Sequence, residues 1–204
     1  MPRRVQLVAG GVAAVVVAVV VALLVAGGGG GEDEPEPRSP VDLRTAVSKA
    51  GCTFREFPDE GQRHLPSRNS TYDGYRTNPP TSGPHRPPPA AADGVYLPGR
   101  SPDKEDWVHT LEHGRVIFMY APREAGRRDR VEALMDEPVG DEPAGFKTVV
   151  MENDTGMPFA VAAVSWRRYV GCPRLDAASL DALRAFRLRF VGDAPEGDFP
   201  WPAQ

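Results

Sequence analysis

The chain has 204 residues and a formal net charge of −4, with 41% hydrophobic residues. Setting aside Arg3 and Arg4, which precede the first apolar run, 22 basic residues face 28 acidic ones, a balance that excludes a broad surface for nucleic acid or anionic lipid. About 165 residues follow the N-terminal segments, enough for one domain with a real core.

Val5 to Ala26 carries no charge and, apart from Gln6, only apolar or small residues. At ~1.5 Å rise per residue such a run spans a ~30 Å hydrocarbon layer as a helix. Arg3 and Arg4 before it and Glu32, Asp33 and Glu34 after it place the N-terminus in the cytoplasm. The expectation is a single-pass cell-membrane protein: residues 1–26 a cytoplasmic stub and transmembrane helix, the remainder extracytoplasmic. A cleaved signal peptide is the competing reading, but the run exceeds a usual signal core of ~7–15 residues and no A-x-A site follows. Gly28 stands where a lipoprotein would carry its acylated cysteine, so lipid anchoring is not expected. Residues 27–40, Gly27 to Gly31 followed by "EDEPEPRSP", read as a flexible stalk that buries too little apolar surface to fold alone. Residues 41–204 form the expected globular domain.

Within that domain Ser39 and Pro40 start a helix that carries Leu43, Ala46, Val47 and Ala50 at helical spacing and stops at Gly51. "TFREF" reads as a short strand. Residues 58–106 are rich in proline, glycine, asparagine and serine, and a loop of that length in a domain is usually functional or disordered. Ser101-Pro102-Asp103 and Gly114 bound a short helix holding Trp107, His109 and His113. "RVIFMYA" is a central strand buried on both faces. Arg127 to Asp136 predicts a helix, "FKTVVME" and "FAVAAVSWRRYV" predict strands, and Leu180 to Phe190 predicts an amphipathic helix. The fold class is α+β, a mixed or antiparallel sheet with flanking helices. Cys52 and Cys172 are the only cysteines, and an even pair outside the cytoplasm most often forms a disulfide. A redox or metal-binding thiol pair is the alternative, without a C-x-x-C spacing to support it.

"VHTLEHG", residues 108–114, carries half of the four histidines. Residues i and i+4 share a helix face, so His109 and His113 can offer two ring nitrogens to one ion, and neutral imidazole suits copper or zinc. His85, in the proline-bounded "PPTSGPH", is the nearest further ligand, and His64 supplies a fourth. The metal-free reading is that histidines at a helix C-terminus interact with its dipole. "HTLEH" also fits the H-x-x-E-H pattern of inverted zincin peptidases, with Glu112 activating water, but the glycine after His113 leaves no long active-site helix. Met119 and Met151 fall in apolar runs and read as core, leaving Met157 as the one loop-placed thioether. Ser82 beside His85 lacks a nucleophile elbow and reads as turn chemistry.

"NPPTSGPH", "DGVY", "VHTLEHGRVIFMY" and "MPFAVAAVSW" up to Cys172 resemble a bacterial membrane-anchored family known only as a domain of unknown function. The resemblance covers about residues 50–175 and implies a shared site at His85, Glu112, His113 and Gly114, with His64 and His109 also at histidine-containing positions. Three functions follow for test. The first is a membrane-tethered domain that binds copper or zinc through His64, His85, His109 and His113, with Glu112 as orienter or acid/base. The second is a metal-free envelope interaction module, and the third a metal-dependent hydrolase.

Overall fold

Val116–Tyr120 is apolar at every position, and in the computed structural model, which describes residues 42–198, it forms strand β3, buried along its whole length. The other strands are β1 (Thr53–Glu56), β2 (Gly94–Val95), β4 (Thr148–Glu152), β5 (Val161–Ser165) and β6 (Arg168–Cys172). They make one six-stranded sheet in the order β1-β6-β5-β3-β4-β2. β3 runs parallel to β4 and antiparallel to β5, with Phe118 opposite Val150 on one side and Ala163 on the other. The sheet is mixed and open, and the class is α+β, as the sequence predicts.

Strand side chains alternate between faces, so one strand feeds two cores. Val116, Phe118 and Tyr120 pack with Ala46 and Ala50 of helix α1 (Leu43–Ala50) and with Leu183 and Phe186 of the C-terminal helix, Ala177–Phe190. Ile117 and Met119 pack instead with Trp107, Val108 and Leu111 of helix α2 (Lys104–Glu112). Each fully buried side chain of this size contributes roughly 1.5–3 kcal/mol of transfer free energy, so β3 anchors both layers. The disulfide between Cys52 and Cys172 ties the end of α1 to the end of β6 across 120 positions.

Local sequence sets the element ends. Asp42 caps α1 by accepting from the Thr45 N–H at 3.0 Å, and Gly51 ends it at φ +63°. The C-terminal helix starts on a capping box: the Asp176 carboxylate accepts from the Ser179 N–H (2.9 Å) while Ser179 Oγ accepts from the Asp176 N–H (2.8 Å). Two predicted elements differ. "FAVAAVSWRRYV" is a hairpin, β5 and β6, whose turn places Arg167 at φ +64°, a left-handed position usually marked by glycine or asparagine. Residues 122–136 form a 3₁₀ turn (Pro122–Arg127), the short α3 (Asp129–Glu132) and a second 3₁₀ turn (Ala133–Asp136) in place of one helix. With α3 so numbered, Ala177–Phe190 is α4. The apolar run Val5–Ala26 and the stalk lie outside the described residues. Among the described residues no helix is long and apolar enough to cross a membrane.

Candidate metal centre

The long irregular segment expected at 58–106 is held down by charge. Arg86 donates from Nη1 to the carboxylates of Asp103 (2.7 Å) and Asp106 (2.8 Å), at the entrance of α2, and from Nε to the Ser70 carbonyl (3.0 Å). Burial works against the Arg86 charge, but the hydrogen bonds to Asp103 and Asp106 outweigh it and raise its pKa. The Arg86 N–H also donates to the Glu105 carbonyl (3.1 Å). Residues 85 and 86 are thereby clamped onto the first turns of α2. Ser82 serves the same loop, though by a bond across 22 positions in place of the local turn chemistry expected, its Oγ accepting from the Glu60 N–H at 3.1 Å.

This clamp orients two imidazoles. His85 Nδ1 lies 2.9 Å from the Gly83 carbonyl, and His109 Nδ1, one α2 turn from Asp106, lies 2.8 Å from the Arg86 carbonyl. A carbonyl only accepts, so both rings carry a proton on Nδ1 and turn Nε2 away from that carbonyl. Such a backbone bond to the remote nitrogen is the usual support of a metal-ligating histidine. Both rings are buried, and burial first, then the neighbouring His85 and His113, lowers the His109 pKa to about 3. His109 is therefore neutral near neutral pH, the form that binds metal.

His64 reaches the same place by backbone pairing. It forms a parallel bridge with His85: the Leu65 N–H donates to the His85 carbonyl (2.7 Å) and the His85 N–H to the Arg63 carbonyl (3.2 Å). The ring centroids of His64, His85 and His109 stand 4.8 to 5.0 Å apart. Glu112, three residues after His109 and so on the same face of α2, brings Oε2 to 3.0 Å from His85 Nε2. That nitrogen makes no hydrogen bond despite the short distance, so the oxygen lies off its donor axis. Two electron-rich atoms this close repel unless a proton or a cation stands between them.

One donor atom from each of His64, His85, His109 and Glu112 lies within 4.8 Å of all the others. Bonds of ~2.0–2.1 Å put the donors of a tetrahedral zinc ion about 3.4 Å apart, so the group is gathered but wider than a closed site. The four predicted metal ligands are thus not brought together as one set. His64, His85 and His109 meet, and the fourth donor is Glu112 in place of His113. The reason is where α2 stops: Glu112 is its last residue and His113 its C-cap, with Gly114 at φ +77°. A Cβ on Gly114 would meet the Gly192 Cα at 2.8 Å, and the Gly192 N–H donates to the Gly114 carbonyl (2.8 Å), so the chain after α4 packs against this helix end. His113 stacks on His109 with centroids 4.8 Å apart and sets Nδ1 3.3 Å from a Glu196 carboxylate oxygen. Burial lowers its pKa, opposed by the Glu196 charge.

The three methionines considered as soft ligands, Met119, Met151 and Met157, all belong to the apolar core under α2. Trp166 of the same core faces the His85 ring edge-on at 6.4 Å. Both cysteines are in the disulfide, so the donor set is imidazole and carboxylate alone. A polar cleft of about 440 Å³, lined by Asp73, Tyr75, Arg86, Asp103, Lys104 and Asp154 among others, includes none of the four histidines.

A protein family of unknown function, DUF3105, matches residues 68–197. The chain belongs to this family. The matched span takes in His85, His109, Glu112 and His113 and begins after His64. No curated protein and no solved structure matches the chain.

Proposed function

We propose that this DUF3105 member binds one divalent transition-metal ion, copper or zinc, at His85, His109, Glu112 and His64, in a domain tethered to the outer side of the cell membrane by residues 5–26. The observation that carries the reading is the pair of buried imidazoles whose Nδ1 atoms are fixed by the Gly83 and Arg86 carbonyls while His85 Nε2 meets the Glu112 carboxylate without a hydrogen bond. A cation between those two atoms turns the close contact into two ligand bonds. Imidazole and carboxylate without thiolate suit zinc and copper(II).

Metal analysis of the untagged full-length chain in detergent tests the proposal. One equivalent of zinc or copper is expected after loading. His85→Ala and His109→Ala each weaken binding by at least ~10-fold, since even the supports of metal ligands cost ~10–100-fold. At a free metal concentration of 100 Kd the melting transition gains about 2.7 kcal/mol. Absence of both stoichiometric metal and stabilisation would refute the reading. The result would then favour the metal-free module, in which a proton on His85 Nε2 makes an ion pair with Glu112 and the cluster shapes a docking face. The H-x-x-E-H hydrolase is the weaker reading, because Glu112 stands among the donors and His113 outside them.

A further inference from the structure

The four donors differ in how they are held, and the difference assigns them different tasks. His85, His109 and Glu112 are all buried, at 0 to 2% exposure. His85 and His109 are fixed through Nδ1, and the backbone of Glu112 is fixed by its place in α2 and by the Glu196 N–H, which donates to its carbonyl at 3.0 Å. His64 is exposed, and among the described residues no side-chain hydrogen bond orients its ring. Its neighbours Gln62, Arg63 and Pro66 are exposed as well, so the segment is held by the buried Leu65 and by the two backbone bonds to His85 rather than through the His64 side chain. The donor group spans up to 4.8 Å, wider than a closed tetrahedral site, so some donor must move inward on loading. The exposed ring without an orienting bond is the one that can.

From this asymmetry, and resting on the metal-binding reading above, we infer that His85, His109 and Glu112 hold the ion while His64 occupies an exchangeable position that a small anion from solvent can take instead. Two neutral imidazoles and one carboxylate leave a divalent ion with a net charge of about +1, so an anionic donor such as hydroxide, halide or azide is the favoured replacement. Exchange makes and breaks one coordination bond on each side: His64 leaves with its lone pair, and the anion supplies another, with no change of oxidation state. The site is then an open metal centre of the kind that binds or activates a small ligand, with His64 as its removable cover.

The test uses the full-length chain loaded with copper(II), with azide as the anion. Wild-type protein, His64→Ala, His64→Gln and His85→Ala are compared for metal affinity by competition with a chelator, and for azide binding by the azide-to-copper charge-transfer band. Both His64 variants are expected to keep one copper, with affinity reduced no more than ~10-fold, and to bind azide more tightly than wild type. His85→Ala is expected to lose far more affinity. Loss of copper by both His64 variants to the same degree as His85→Ala overturns the inference and makes His64 an obligatory ligand. Retained copper with no gain in azide binding also overturns it. If wild-type protein takes up no copper or zinc, the metal-binding reading itself fails, and the inference fails with it.

Discussion

The two faces of the sheet are built from the same strands but stabilised differently. Under α1 and α4 the layer is apolar, with Phe118, Val150, Ala163 and Phe186 buried among aliphatic neighbours. Its main charged intruder is Arg187, which donates to the Leu134 carbonyl (2.6 Å) and lies over the Phe118 ring at 5.5 Å. Over the α2 face the buried residues include His85, Arg86, Glu105, His109, Glu112 and Arg115. A buried polar group costs stability unless it is bonded, and breaking a buried charge pair by removing one partner costs more. The concentration of such groups on one face teaches that the first face maintains the fold, while the second spends part of the gain from burial on holding polar and titratable groups in place.

Substitutions on the first face are the strongest way to test that division. Phe118→Ala is expected to lower unfolding free energy by ~3–5 kcal/mol in denaturant titration, while, on the metal-binding proposal, the folded fraction keeps its copper or zinc affinity within about threefold. A large loss of affinity would show that the two faces are coupled through β3. Next in size, Cys52→Ala with Cys172→Ala removes a cross-link between α1 and β6 and is expected to cost ~2–5 kcal/mol, again with little change at the histidines. The smallest effect lies at the start of α4. Asp176→Ala is expected to cost about 1 kcal/mol near neutral pH through the lost cap. The Ser179 backbone N–H, with help from Arg174 and against burial, holds the Asp176 pKa below its ordinary value of 3.8. A depressed folded pKa means that the contribution is complete above 3.8 and is lost as pH falls through the lower folded value. The difference between wild type and variant is thus expected to shrink in acid, and a difference that grew there would contradict the capping role.

The first face was the more legible in sequence. The continuous apolar run of β3, the spacing in α1 and α4 and the cysteine parity each have one dominant physical reading, and each is found. The second face was legible in its ingredients and not in its arrangement. His64, His85 and His109 converge as their sequence context suggests, but periodicity could not separate Glu112 from His113. Both are neighbours of His109 on a helix, and the choice falls on whichever side of the helix end each occupies. The Arg86 clamp was missed because its partners, Ser70, Asp103 and Asp106, are separated by up to 36 positions of irregular chain. The β5–β6 turn was missed because Arg167 at φ +64° carries none of the residue types that announce such a conformation.

The bond between Cys52 and Cys172 joins residues 120 positions apart, and every one of the four donors lies between its ends. A single proteolytic nick anywhere in the exposed stretches of 58–106 therefore leaves two pieces that remain covalently one molecule. Such a product runs intact on a gel until a reductant is added, and it can still present both halves of the histidine group to each other. On the extracytoplasmic placement proposed above, where proteases are met and thiols stay oxidised, the cross-link makes separation of the histidine group a two-hit event.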